Sequence, residues 1–183
     1  MTVTEIVAAD AQARPAFHVP WRPALMALVS AFNVASETRL VTPCIMAAVA
    51  DRETNGQNIF QLGVPRGPGC GVGPWQITSG VDWTDLAHPT FPNYGDLTAV
   101  MVTARVAAHE FLEGVLEQFP SSHVAAFAAY NLGGGAVARE IAAGISPDAW
   151  TTDHDYGLDV FTRFVNFTAA TQGVPVDWST WKP

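Results

Sequence analysis

Between Leu97 and Phe119 apolar side chains return with helical period: Leu97, Val100, Met101, Ala104, Ala108, Phe111, Leu112, Val115, Leu116 and Phe119. A pattern held for about six turns commits this stretch to one long amphipathic helix, and an apolar stripe of that length needs other elements to cover it. Asp96 stands where an N-cap belongs, and Pro120 stops the run.

The covering elements read as helices too. Thr42 followed by Pro43 is an N-cap with proline at the first helical position, and Ile45, Val49 and Glu53 continue at steps of four until Asn55-Gly56. That spacing puts the Glu53 carboxyl on the side of the helix that faces inward. A shorter helix starts at Pro23 with Leu25, Leu28, Val29 and Phe32 on one face. Ser122 opens another with Val124, Phe127 and Ala128 inward, broken at Gly133-Gly134-Gly135. Two more are predicted over 136–141, closing at Gly144, and over 156–170, ended by Gly173.

Residues 56–96 interrupt this helical chain and carry eight of its 15 glycines, with Pro65, Pro68, Pro74, Pro89 and Pro92. Trp75, Trp83, Phe91 and Tyr94 lie among them, more apolar mass than a linker carries, so the segment reads as loops around a small β-hairpin. Residues 1–20 form an N-terminal arm, and residues 21–183 a single domain. The predicted class is mainly α with one β-hairpin and loop insertion.

Charge and composition exclude several functions. Nine Lys+Arg against 17 Asp+Glu give −8, with the basic residues scattered, so no stripe is available to track nucleic acid. No apolar run approaches the roughly 20 residues of a membrane span. A hydrophobic fraction of 49% with 14% charged residues is globular composition. Cys44 and Cys70 are too few for a disulfide framework; a single bridge and two buried thiols both remain open, the thiols being the plainer reading.

Familiar catalytic signatures are missing. His109-Glu110 starts like HExxH, but Glu113 stands where the second histidine belongs, and His18, His88, His123 and His154 have no ligand spacing, so neither metal nor cofactor is expected. No serine sits in GxSxG, and Gly69, Gly71 and Gly73 lead into Pro74 rather than into a helix.

What remains is an ordered set of three short pieces: Arg52-Glu53-Thr54-Asn55 at a helix end, Gly73-Pro74-Trp75-Gln76-Ile77-Thr78 in the hairpin region, and Ala129-Tyr130-Asn131-Leu132-Gly133 at another helix end. In order and spacing they resemble the goose-type lysozyme and soluble lytic transglycosylase family over residues 42–144, extending to the last helix through Asp155-Tyr156-Gly157. The resemblance implies a lysozyme-like fold and cleavage of the β-1,4 bond between N-acetylmuramic acid and N-acetylglucosamine in peptidoglycan. It implies Glu53 as general acid, in accord with a carboxyl on an apolar helix face whose desolvation keeps a proton near neutrality. It further implies that the Tyr130 hydroxyl orients Glu53, that Asn131 starts the turn that places it, and that Thr54, Gln76 and Ile77 line the sugar cleft. Glu53-Thr54 replaces the commoner Glu-Ser, and Pro74-Trp75 the commoner Leu-Met; the flat Trp75 face is expected to stack on a sugar ring.

The outcome of cleavage depends on a second carboxylate, which stands about 6.5 to 9.5 Å from the acid in inverting enzymes and about 5 to 5.5 Å in retaining ones. No Asp or Glu occurs between Thr54 and Val81, and Thr78 stands where goose-type enzymes carry an aspartate. The balance therefore tips toward lytic transglycosylase chemistry, with one glutamate acting as acid and then base while the muramic acid 6-hydroxyl closes an anhydro ring. Asp82 and Asp85 are the candidates for a displaced base in a hydrolytic lysozyme (muramidase). The competing classes are a non-catalytic peptidoglycan-binding module and a phage structural protein. The first residues show no basic region followed by an apolar core, so wall degradation here is expected of a bacteriophage endolysin or virion-associated lysin, made in the host cytoplasm and acting on the wall after release.

Overall fold

The computed structural model of the chain describes residues 40–55, 71, 75–77 and 97–172, the last range with the side chains of 108–170 and 172. The arm over 1–20, the helix from Pro23, the Asp96 cap, Cys70, Asp82 and Asp85 lie outside the described residues, as does nearly all of the expected hairpin.

The described part is mainly α. Helix α1 spans Pro43–Thr54, α2 Leu97–Gln118, α3 His123–Leu132, α4 Gly134–Ala142 and α5 Tyr156–Thr171, with a short 3-10 turn at Thr152–His154 before the last. The start signals act as their chemistry predicts: Thr42 Oγ1 accepts from the Ile45 N–H at 3.3 Å, and Ser122 Oγ from the Ala125 N–H at 3.1 Å. Helix α4 starts two residues earlier than periodicity suggests, on Gly134, because Gly133 takes φ 91 and turns the chain directly from one helix into the next.

Helix α1 is buried on nearly every side. Ile45, Met46, Ala47, Ala48, Val49, Ala50 and Asp51 are all enclosed, so α1 is a central helix rather than an amphipathic one lying on a surface. Helix α5 packs against both α1 and α3, and α3 also touches α2 and α4. The α3–α5 approach is very close: a Cβ on Gly157 would lie 2.3 Å from the Val124 carbonyl oxygen and 2.9 Å from the Ala128 nitrogen. His123, Phe127, Phe161 and Phe164 fill the same seam with aromatic contacts, His123 stacking on Phe164 at 5.8 Å.

Two polar devices seat α5. Asp148 accepts from the N–H groups of Gly157 at 2.7 Å and Leu158 at 2.9 Å, neutralising the orphan donors of the first turn, while Thr151 Oγ1 donates to the same carboxylate at 3.0 Å. Deeper in, Arg163 of α5 pairs with the fully enclosed Asp51 of α1, and its Nε donates to Asp159 at 2.9 Å. Cys44 is a partly buried free thiol. Among the described residues no helix is long and apolar enough to cross a membrane.

Candidate active site

Glu53 sits in the last turn of α1, where Asn55 adopts a left-handed conformation (φ 53) and donates its N–H to the carbonyls of Ala50 and Asp51. Burial pushes the Glu53 carboxyl above the ordinary glutamate range; the hydrogen bond from Tyr156 and the positive charge of Arg52 pull it down without reversing that shift.

The phenol that holds Glu53 is Tyr156, at the first position of α5, whose hydroxyl donates to Glu53 Oε1 at 2.5 Å. Burial and the neighbouring Glu53 charge drive the Tyr156 hydroxyl far above its usual range, so it stays protonated and acts as a donor. With Oε1 accepting from that donor, a proton on the carboxyl resides on Oε2.

The expected role of Tyr130 is corrected by this geometry. Its hydroxyl donates to the Trp75 carbonyl at 2.8 Å, not to Glu53. It still neighbours the acid, since burial and the Glu53 charge both raise its own proton affinity, and its ring packs on Phe111 with centroids 5.3 Å apart. Tyr130 is thus a wall that ties the Trp75 segment to α3.

Trp75 is corrected as well. A stacking platform must present an open face, whereas Trp75 is 0% exposed and its Nε1–H donates to the Met46 carbonyl of α1 at 2.9 Å. It is a core residue linking α1 to Tyr130. Thr54 is buried and its hydroxyl donates to the Ala50 carbonyl at 3.2 Å, a helix-internal bond that turns it away from a sugar. Asn131 is exposed, but its amide is engaged: Oδ1 accepts from the Thr152 N–H at 3.0 Å and Nδ2 donates to Thr152 Oγ1 at 3.2 Å. It fastens the end of α3 to the turn preceding α5.

Ile77 is buried with the core, as a residue that holds this segment against the helices. Gln76 is not in an extended strand conformation: its φ of 49 is left-handed, and its amide lies over Gly71, where a Cβ would come within 2.2 Å of Gln76 Oε1. Glycine at 71 is what admits that amide.

Three functional features escape a reading by pattern. Tyr156 lies in a stretch noted only as an extension of the resemblance, and nothing in its periodicity says that its hydroxyl reaches α1. Arg52 carries ion pairs to Asp153 at 3.1 Å, Asp155 at 3.2 Å and Asp159 at 3.1 Å. Asp51, two residues before Glu53, is an ion-pair partner buried in the core. Asp51, Asp153, Asp155 and Asp159 are thereby engaged with Arg52 or Arg163. Among the described residues no three His, Cys, Asp or Glu side chains are grouped to hold a metal ion.

Compared with protein-family models, with curated proteins and with solved structures, the chain finds no match.

Proposed function

We propose that the protein cleaves the glycan strand of peptidoglycan at the β-1,4 bond between N-acetylmuramic acid and N-acetylglucosamine, with Glu53 as general acid. The observation that carries this reading is the state of Glu53: a desolvated carboxyl of raised proton affinity, held by the Tyr156 hydroxyl on one oxygen. A buried carboxyl of raised proton affinity beside a hydroxyl donor is the environment in which a glutamate serves as a general acid, and this supports the reading.

In the first step Oε2 gives its proton to the glycosidic oxygen, the bond to the muramic acid C1 breaks, and the N-acetylglucosamine alcohol leaves. The resulting Glu53 carboxylate is the state that the Tyr156 hydrogen bond and the Arg52 charge favour. It then accepts the proton of the muramic acid 6-hydroxyl as that oxygen bonds C1, giving the 1,6-anhydro product and restoring the acid. This lytic transglycosylase course is favoured over hydrolysis because no Asp or Glu occurs between Thr54 and Val81, where goose-type enzymes carry a base, and because Asp51, Asp153, Asp155 and Asp159 are already drawn onto Arg163 and Arg52.

Mass spectrometry of soluble muropeptides released from purified peptidoglycan, with and without borohydride reduction, tests the reading. Wild type is expected to release products one water lighter than hydrolytic ones and resistant to reduction, and Glu53→Gln to lose about 100- to 10,000-fold in rate, the usual worth of a positioned acid. Reducible muramic acid ends from wild type alone would instead make the enzyme a hydrolytic muramidase and send the search for a base to Asp82 and Asp85. Equal release by wild type and Glu53→Gln would remove Glu53 from the reaction, and binding to peptidoglycan without release by either would make the chain a binding module.

A further inference from the structure

Arg52 precedes Glu53 in the chain and gathers three carboxylates from the segment leading into α5 and from α5 itself. Its Nη2 lies 3.1 Å from Asp153 and 3.2 Å from Asp155, and its Nη1 lies 3.1 Å from Asp159. Nη2 also donates to the Thr152 carbonyl at 3.4 Å. The guanidinium carbon stands 5.5 Å from the centroid of the Tyr156 ring, within cation–π range. With a side chain only 17% exposed, Arg52 is fixed on several sides at once, unlike a surface ion pair that rotates freely.

One partner, Asp153, is delivered by left-handed backbone. Asp153 and His154 have φ of 60 and 59, two consecutive left-handed residues that carry a Cβ. That conformation brings the Asp153 carboxylate onto Arg52, while His154 Nδ1 is held 2.7 Å from the Ala149 carbonyl.

We propose that Arg52 is a positioning residue for the cleavage reaction: anchored by Asp153, Asp155 and Asp159, its guanidinium fixes the Tyr156 ring so that the phenol hydroxyl stays on Glu53 Oε1. The inference rests on the reading of Glu53 as the acid. Among the described residues, the titratable and charged groups facing Glu53 are Arg52 on its own helix, Tyr156 on α5 and Tyr130 on α3, with Asp153, Asp155 and Asp159 compensating Arg52 from beyond it. Of these, Arg52 brings the positive charge, so it also eases the ionisation that Glu53 undergoes as it gives up its proton.

The test follows the Glu53 side-chain carboxyl by carbon NMR through a pH titration of the whole chain, beside kcat and KM for peptidoglycan cleavage, in wild type, Arg52→Gln and Arg52→Lys. Arg52→Gln is expected to move the Glu53 midpoint to higher pH and to cut kcat by about tenfold or more with KM nearly unchanged, as for an interaction realised in the transition state. Arg52→Lys keeps the charge and is expected to bring the midpoint back toward wild type, while kcat stays low because an ammonium reproduces neither the fork nor the stacking. Local unfolding moves the midpoint the other way, down to that of an ordinary glutamate. A midpoint in Arg52→Gln that is unchanged or lower, or a wild-type kcat, overturns the proposal. If wild type cleaves no peptidoglycan, the reading of the function fails by itself, and the NMR midpoints decide the Arg52–Glu53 coupling.

Discussion

Tyr156 and Glu53 stand 103 positions apart in the chain, and the hydroxyl of one donates to Oε1 of the other at 2.5 Å. The bond favours the ionised carboxylate, opposing the burial that favours the neutral acid, so the acid is both held in one rotamer and kept from binding its proton too tightly.

Tyr156→Phe removes that bond and leaves the burial. Glu53 then keeps its proton to higher pH, and the alkaline limb of the pH profile of cleavage moves upward. The plateau rate falls by about 10- to 100-fold, the worth of one hydrogen bond to a charged group at ~1.5–3 kcal/mol. A limb that stays in place or moves downward in a pH–rate series would falsify the assignment of Tyr156 to the acid.

Glu53 also costs stability. Its proton affinity is higher in the folded chain than in the unfolded one, so between the two pKa values the folded state binds more protons. Stability contributed at this site is greatest below the unfolded value, falls as pH rises through the window and stays low above it. Glu53→Gln, neutral throughout and still able to accept from Tyr156, is expected to melt above wild type at pH 7. The two are expected to converge near about pH 4, where the unfolded carboxyl also takes up its proton. Thermal melts across that range decide it, and a variant that melts below wild type at pH 7 contradicts the account.

The Asp51–Arg163 pair bridges α1 and α5 out of reach of solvent, with Asp51 at 0% side-chain exposure. Asp51→Ala leaves the guanidinium without its buried partner and is expected to cost about 3–5 kcal/mol in urea unfolding. The double variant Asp51→Leu with Arg163→Met removes both charges and should cost less than Asp51→Ala alone. A double variant as damaged as the sum of its singles would show that the pair is not one electrostatic unit.

Trp75 offers its indole to the core and not to a glycan. Trp75→Phe deletes the N–H bond to Met46 and is expected to lower stability by about 1–3 kcal/mol, with KM for peptidoglycan unchanged at temperatures where the variant is folded. A raised KM in a fully folded variant would restore the stacking role.

Much of the helical frame was legible from local chemistry, because Thr42, Pro43, Ser122 and Gly133 act within a turn of themselves. The burial around Glu53 was legible only in part: steps of four along α1 align it with Ile45 and Val49, but α1 is enclosed on nearly every side, so the stripe alone does not set it. What the acid touches was not legible. Tyr130 and Tyr156 are each a tyrosine on a helix close to Glu53, and only the packing of α5 on α1 decides which hydroxyl reaches the carboxyl and which reaches Trp75. An exposed-looking aromatic in a glycine-rich segment reads as a sugar platform until the Met46 carbonyl is seen to take its N–H. Nor can periodicity reveal that Asp51, next to apolar neighbours in α1, is matched by Arg163 more than a hundred residues later, since ion pairs leave no spacing signature across that distance.

The span between Glu53 and Tyr156 also sets an order of events during synthesis. When α1 leaves the ribosome, Glu53 is an ordinary solvated glutamate flanked by an unpaired arginine, with none of the burial that lets it hold a proton. On the proposed function, the phenol and the burial that equip Glu53 as an acid are in place only after α5 has been made and docked, with Asp153, Asp155 and Asp159 on Arg52. A chain in which α5 has not docked is therefore expected not to cleave, so that activity would report the docking of α5 on α1.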